Sequence, residues 1–176
     1  MRLIILCMLI MTVQQSFAGQ CLPLLNRTIT TLQGDKINLC AYAGKPILIV
    51  NTASKCGYTP QFEKLEGMYG KYQQRGLLIL GFPSNDFRQE LSGNGAIARF
   101  CILTYKVKFP MSEPGHVVGD QANPFFKELA QITGSAPDWN FHKYLISVDG
   151  KTVYSFATQV EPDSPEIMNK LLPMLK

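Results

Sequence analysis

Runs of like charge are missing from this sequence. Its 17 basic and 13 acidic residues are scattered over 176 positions and leave a formal net charge of +4. Without a basic stretch or a basic-aromatic alternation it lacks the electrostatic footprint of a nucleic-acid binder, and no nucleic acid is expected as a partner. Histidine is almost absent. His116 and His142 stand alone; two isolated histidines do not make a metal site, so they are read as surface or core residues, with no metal or other cofactor expected. A C-x-x-C pair is also missing: Cys56 is followed by Gly57-Tyr58-Thr59 and then Pro60. That argues against a dithiol redox motif, and against the Cys-x-x-x-Cys that a copper-binding module would use. Repeats, low-complexity tracts and linkers are lacking too, so one domain is expected. No apolar run reaches the roughly 20 residues that span a bilayer as a helix.

What is present begins with a targeting signal. Arg2 supplies a positive start, Leu3 to Val13 an apolar stretch, and Ser16-Phe17-Ala18 a small-x-small cleavage site before Gly19. Residues 1–18 are therefore read as a signal peptide and 19–176 as the mature domain. The alternative, a retained membrane anchor, is opposed by the polar Gln14-Gln15-Ser16 flank. The expected product is exported, periplasmic in a Gram-negative source and secreted otherwise, with no stable membrane insertion after processing. Cys7 leaves with the signal. Cys21, Cys40, Cys56 and Cys101 remain and allow three pairings; a structural Cys21–Cys40 disulfide is expected, because the two flank a short hairpin.

The stretch from Pro46 to Tyr72 organises the rest. Ile47 to Val50 is apolar without alternation, the mark of a strand buried on both faces. Thr59 suits an N-cap and Pro60 a first helical position, and Phe62, Leu65, Met68, Tyr69 and Tyr72 recur at helical spacing. Cys56 thus falls on a strand-to-helix turn, beside free N–H groups, the positive helix end and Lys55. All three favour thiolate over thiol. The alternative is a buried small residue or half of a structural disulfide.

The remaining elements follow in order. Arg27–Leu32 and Lys36–Leu39 flank a Gln33-Gly34-Asp35 turn and form a hairpin. Leu77–Leu80 is a second apolar strand, joined to the first by a helix in a right-handed βαβ unit. A polar loop from Gly81 to Glu90 precedes a helix from Ala96 to Tyr105 with Ile97, Phe100, Cys101 and Thr104 toward one side. Asn123-Pro124 caps a helix to Ile132, stopped by Gly134. Tyr144–Val148 and Thr152–Phe156 form a hairpin around Asp149-Gly150. Ser164-Pro165 opens a last helix with Ile167, Met168, Leu171 and Leu172 inward. This order predicts an α/β protein of thioredoxin-like fold: a central mixed β-sheet flanked by helices, with an N-terminal β-hairpin.

Three blocks carry a more specific signal: Asn51–Gln61 (NTASKCGYTPQ), Gly81–Gln89 (GFPSNDFRQ) and Trp139–Phe141 (WNF). In sequence and order they resemble the signature blocks of the glutathione peroxidase family, and the likeness runs from about Thr28 to the C-terminal helix. The resemblance implies a thiol peroxidase in which Cys56 is the peroxidatic residue and Gln89, Trp139 and Asn140 complete the active-site tetrad. Their neutral N–H groups would stabilise the thiolate and then the departing oxygen. It also implies Cys101 as a resolving cysteine, forming a Cys56–Cys101 disulfide that a thioredoxin-like protein reduces, in preference to glutathione. The alternative reading of Cys101 is a buried helix residue. Three departures stand out: Ser84 where the family usually has cysteine, Asp86 where it has glutamine, and a Phe87–Gln89 segment one residue shorter, which makes Asn85 a second candidate donor. The segment before Trp139 lacks the insertion of tetrameric relatives, so a monomer is expected, open to hydrogen peroxide and to bulky lipid hydroperoxides. The competing function is thiol-disulfide exchange on the same fold through Cys56 and Cys101.

Overall fold

Alternate residues of one strand build the two halves of the core. β3 (Ile47–Thr52) is buried at all six positions, as its unbroken apolar run predicts. Leu48 and Val50 face one layer, with Cys56, Phe62, Leu65, Ile97, Cys101, Ile167 and Leu171. Ile47 and Ile49 face the other, with Leu39, Phe125, Phe126 and Leu129. A strand buried on both sides needs apolar residues at every position rather than at every second one.

The coordinates are a computed structural model that describes residues 21–176; the expected signal peptide lies outside them. The N-terminal hairpin is β1 (Thr28–Thr30) and β2 (Lys36–Asn38). After β3 come α1 (Gln61–Tyr72), β4 (Leu78–Pro83), α2 (Asn94–Tyr105), α3 (Pro124–Thr133), β5 (Lys143–Ile146), β6 (Val153–Phe156) and α4 (Pro165–Leu171). The four-stranded sheet has the order β4-β3-β5-β6. β3 and β4 are parallel, as the βαβ reading requires, and the other pairs are antiparallel. Among the described residues no helix is long and apolar enough to cross a membrane.

Several boundaries differ from expectation, each for a local reason. β4 runs on to Pro83 because its ladder with β3 continues through Asn51↔Phe82 and Thr52↔Pro83. Proline is tolerated there because it ends an edge strand. The strand expected over Tyr144–Val148 closes at Ile146. Ser147 N–H donates to Thr152 O, and the Asp149 carboxylate collects the N–H groups of Lys151 and Thr152, so those residues belong to the turn. In α2 the buried line is Ile97 and Cys101, four apart, which leaves Thr104 in solvent. Leu172 lies one position past the end of α4 and is exposed rather than inward.

The outer edge of β4 is not open. Gly81 N–H donates to Pro110 O and Ser112 N–H to Gly81 O, while Leu32 and Glu113 bond across to Met111 and Thr30. The chain around Met111 therefore joins the hairpin to the sheet. Glycine at position 81 leaves room for the Met111 side chain, whose sulfur would have to move for any Cβ there.

Candidate active site

Cys56 lies on the loop between β3 and α1 and is 8% exposed. The fold of this loop depends on Thr59. Its hydroxyl accepts from Cys56 N–H (3.0 Å) and donates to Ala53 O (2.9 Å). Thr59 was the expected N-cap of α1, but its side chain closes the cysteine loop instead. Pro60 takes the cap position, and α1 begins at Gln61 with no side-chain cap. The sulfur lies in the turn ahead of the helix, where one direct contact reaches it: Tyr58 N–H donates to Cys56 Sγ at 3.4 Å.

Two other loops are bonded to this one. Lys55 N–H donates to Gln89 O (2.9 Å) and Ser54 N–H to Glu90 Oε1 (3.0 Å), which fastens the loop after β4 to the cysteine loop. Asn140 is fully buried, and its Nδ2 donates to Gln89 Oε1 at 2.8 Å. The acceptor end of the Gln89 amide is thereby occupied, which leaves its NH₂ to be presented elsewhere. Trp139 does not enter the core. It is 40% exposed, and its ring packs on Phe87 with centroids 5.3 Å apart.

The Trp139–Phe141 turn is held by residues to which the sequence reading gave no role. Asn51, fully buried at the end of β3, donates through Nδ2 to Trp139 O (3.0 Å), and its own carbonyl accepts from Phe141 N–H (2.7 Å). Phe141 has φ +64°, a left-handed conformation costly for a bulky residue. Thr158 donates to Asn140 O from the far side, and its carbonyl receives Gln61 Nε2 and Lys143 Nζ. A buried asparagine closing an all-apolar strand was the available signal for Asn51; nothing in local sequence pointed to Thr158 or Lys143.

Cys101 lies on the inner side of α2, in the same core layer as Cys56, and both thiols are free. Burial first, and then the charge of Glu90, push its thiol up to about 12. Cys21 and Cys40 form a disulfide with Cα atoms 5.3 Å apart, and Cys21 packs against the opposite layer of the core. His116 is paired with Asp86 (2.6 Å) and His142 with Ser155 Oγ (2.8 Å). Among the described residues, no three His, Cys, Asp or Glu side chains gather as metal ligands.

The family profile described as glutathione peroxidase matches residues 24–130. The chain belongs to the glutathione peroxidase family. It is 42% identical over 140 residues to a glutathione peroxidase of Lactococcus lactis, covering 77% of this chain and 89% of that one. It is 44% identical over 145 residues to a glutathione peroxidase-like peroxiredoxin of Chlamydomonas reinhardtii (78% and 90% covered). Over 143 residues it is 41% identical to a hydroperoxy fatty acid reductase of Synechocystis (75% and 85% covered). Among solved structures, Trgpx in its apo form superposes with a TM-score of 0.68 at 31% identity, covering 86% of this chain and 94% of that one. A secreted Mycobacterium tuberculosis disulfide oxidoreductase at 15% identity, TM-score 0.59 and 85% and 97% coverage shares the thioredoxin-like fold. This chain is therefore a peroxidase, a thiol-based oxidoreductase on that fold.

The loop in which it departs from its family's usual pattern has a compensating structure. Ser84 is fully buried and accepts Asp86 N–H through its hydroxyl. Partial burial works against ionisation of Asp86, yet the Val117 N–H, His116, the Val118 N–H and the Ser84 hydroxyl outweigh it and hold the carboxyl below its ordinary range. Asp86 thus staples the loop to the 116–118 segment. Arg88 takes a left-handed φ of +59° and bonds back to Asn85 O, which lets the chain turn tightly. The exposed Asn85 side chain accepts Glu90 N–H. Gln89, not Asn85, is the amide that meets Asn140.

Proposed function

We propose that Cys56 is the peroxidatic cysteine and that Gln89, Trp139 and Asn140 assist it. The Cys56 thiolate attacks the outer peroxide oxygen; the O–O bond breaks, water or an alcohol leaves, and the sulfur becomes a sulfenic acid. The observation that supports this reading is the set of hydrogen bonds that join two other loops to the cysteine loop: Tyr58 N–H on Sγ, Lys55 to Gln89, and Gln89 to Asn140. Because Asn140 occupies the Gln89 acceptor, the free end of that amide is a donor, suited to negative charge on the departing oxygen.

Cys101 then attacks the sulfenic acid and forms a Cys56–Cys101 disulfide, reduced by a thioredoxin-like protein or, less efficiently, by glutathione. Its burial in α2 makes a local rearrangement part of this step. The substrates are hydrogen peroxide and organic or lipid hydroperoxides. Exposed Trp139 and Tyr58 give the site an apolar rim that suits a bulky chain, and one relative is named a hydroperoxy fatty acid reductase. The protein works as a monomer in an oxidising compartment, where a disulfide such as Cys21–Cys40 persists.

Mass spectrometry after peroxide treatment tests the cycle. The wild type should show a Cys56–Cys101 bond, Cys101→Ser a trapped Cys56 sulfenic acid, and Cys56→Ser neither. Peroxide consumption by Cys56→Ser at the wild-type rate overturns the assignment. Reduction of insulin without peroxide turnover would identify a thiol-disulfide exchanger instead.

A further inference from the structure

Resolution by Cys101 poses a proton problem. Attack requires a sulfur without its proton, yet this thiol is 2% exposed and holds its proton tightly in the folded protein. A base at the Cys56 loop would remove the difficulty, and the structure has one candidate. Among the described residues, Glu90 is the carboxylate hydrogen-bonded to that loop: its Oε1 accepts the N–H of Ser54 (3.0 Å), two residues before Cys56, and that of Leu91 (2.7 Å). Both bonds fall on Oε1, which leaves Oε2 for a proton. Leu91 packs in the same core layer as Cys56 and Cys101.

We propose that Glu90 is the proton carrier of the resolving step, taking the Cys101 proton and delivering it to the oxygen that leaves Cys56. The inference rests on the resolving role of Cys101. As Cys101 Sγ attacks Cys56 Sγ, its proton passes to the Glu90 carboxylate. The S–S bond forms, the S–O bond breaks, and the departing hydroxide takes the proton back from Glu90 as water. The Cys101 sulfur is oxidised and the Cys56 sulfur reduced by the same electron pair, so no outside oxidant is needed, and Glu90 ends as a carboxylate.

The surroundings suit a carrier. Burial pushes the Glu90 carboxyl up, against the pull of the Leu91 and Ser54 N–H groups and the Lys55 charge. A carboxyl moved toward neutrality is a stronger base than an ordinary one, and its acid form still protonates a departing hydroxide. The titratable groups near enough to exchange electrostatic influence with it are Lys55 on the cysteine loop and Cys101 on α2. Arg88, nearby in sequence, is exposed to solvent.

The test follows disulfide formation after one equivalent of peroxide, so that resolution is separated from the peroxide step. In the wild type its rate should be level above neutrality and fall in acid as Glu90 protonates. Glu90→Gln keeps the acceptor for Ser54 but cannot carry a proton. Its rate at pH 7 should drop about a hundredfold and rise in proportion to hydroxide, while Glu90→Asp should restore the wild-type profile shape at a lower rate. A Glu90→Gln profile superimposable on the wild type overturns the inference. So does a wild-type rate proportional to hydroxide between about pH 5 and 9, a result that needs no variant to fold. Cys101→Ser separates the two levels. If it still turns over normally, the resolving reading fails; if it stalls while Glu90→Gln is normal, only the carrier role fails.

Discussion

Replacing Thr59 by valine removes a hydroxyl and nearly preserves the shape of the side chain. The residue is 4% exposed, and the hydroxyl closes the cysteine loop from both ends, accepting from Cys56 N–H and donating to Ala53 O. Valine would leave a buried donor and a buried acceptor unpaired, at about 1–3 kcal/mol each, so roughly 2–6 kcal/mol together. Serine keeps both bonds and loses one methyl group, about 1 kcal/mol. A domain near the middle of the usual ~5–15 kcal/mol of stability survives either change. Urea unfolding should therefore give a much lower midpoint for Thr59→Val than for Thr59→Ser, with the same slope for both. Peroxide consumption adds an independent reading. The sulfur is placed by the loop that Thr59 closes, so valine should slow the reaction about 10–100-fold, with serine near wild type. Equal losses in the two variants, in stability and in rate, would refute the claim that the hydroxyl, rather than the bulk of residue 59, shapes this loop.

Two further outcomes are expected. Cys21–Cys40 closes a loop of sequence separation 19, so Cys40→Ser should lose about 3 kcal/mol in the chain-entropy account. The difference from wild type should vanish in a strong reductant, and a difference that persists there would assign the loss to packing. Lys143 is fully buried and donates to Thr158 O and Val160 O; burial, opposed by the Glu161 charge, pushes its pKa from 10.5 down to about 7. Between those values the unfolded chain holds a proton that the folded one lacks, so stability should rise with pH across that window. Lys143→Met should lack this component, and equal slopes for wild type and variant in unfolding titrations would contradict it.

How much of this was legible in the sequence depended on whether the signal was local. The βαβ unit was legible because an unbroken apolar run, a helical face and a second apolar run each announce themselves within a few residues. The Asn123 cap and Gly134 stop of α3 were read correctly for the same reason: the Asn123 side chain accepts Phe125 N–H, and Gly134 takes the left-handed conformation. Thr59 was misread because a threonine before a proline carries the same local signature whether its hydroxyl caps the helix or turns back to Ala53. The ends of β3 and β4 were read too short because Asn51, Thr52 and Pro83 look like loop residues, and only the neighbouring strand makes them part of a ladder. Gln89, Trp139 and Asn140 were found through resemblance, not through any property of their own. The residues that hold them, Asn51, Thr158 and Lys143, act through contacts 15 to 88 positions distant, where no local pattern reaches.

The sheet explains how this protein can keep two kinds of sulfur chemistry apart. The four cysteines of the described residues admit three pairings, and a peroxidatic sulfur that passes through a sulfenic acid would condense with any thiol it met. Cys56 and Cys101 share the layer facing Leu48 and Val50, whereas Cys21 packs in the layer facing Ile47 and Ile49. Between the two layers stands a strand whose every residue is buried, which closes the direct path through the sheet. A loop or helix rearrangement that brings Cys101 to Cys56 leaves this barrier intact, because it happens entirely within one layer. In the proposed cycle the alternating side chains of a single strand thus favour exchange between Cys56 and Cys101, with the Cys21–Cys40 bond held on the other layer.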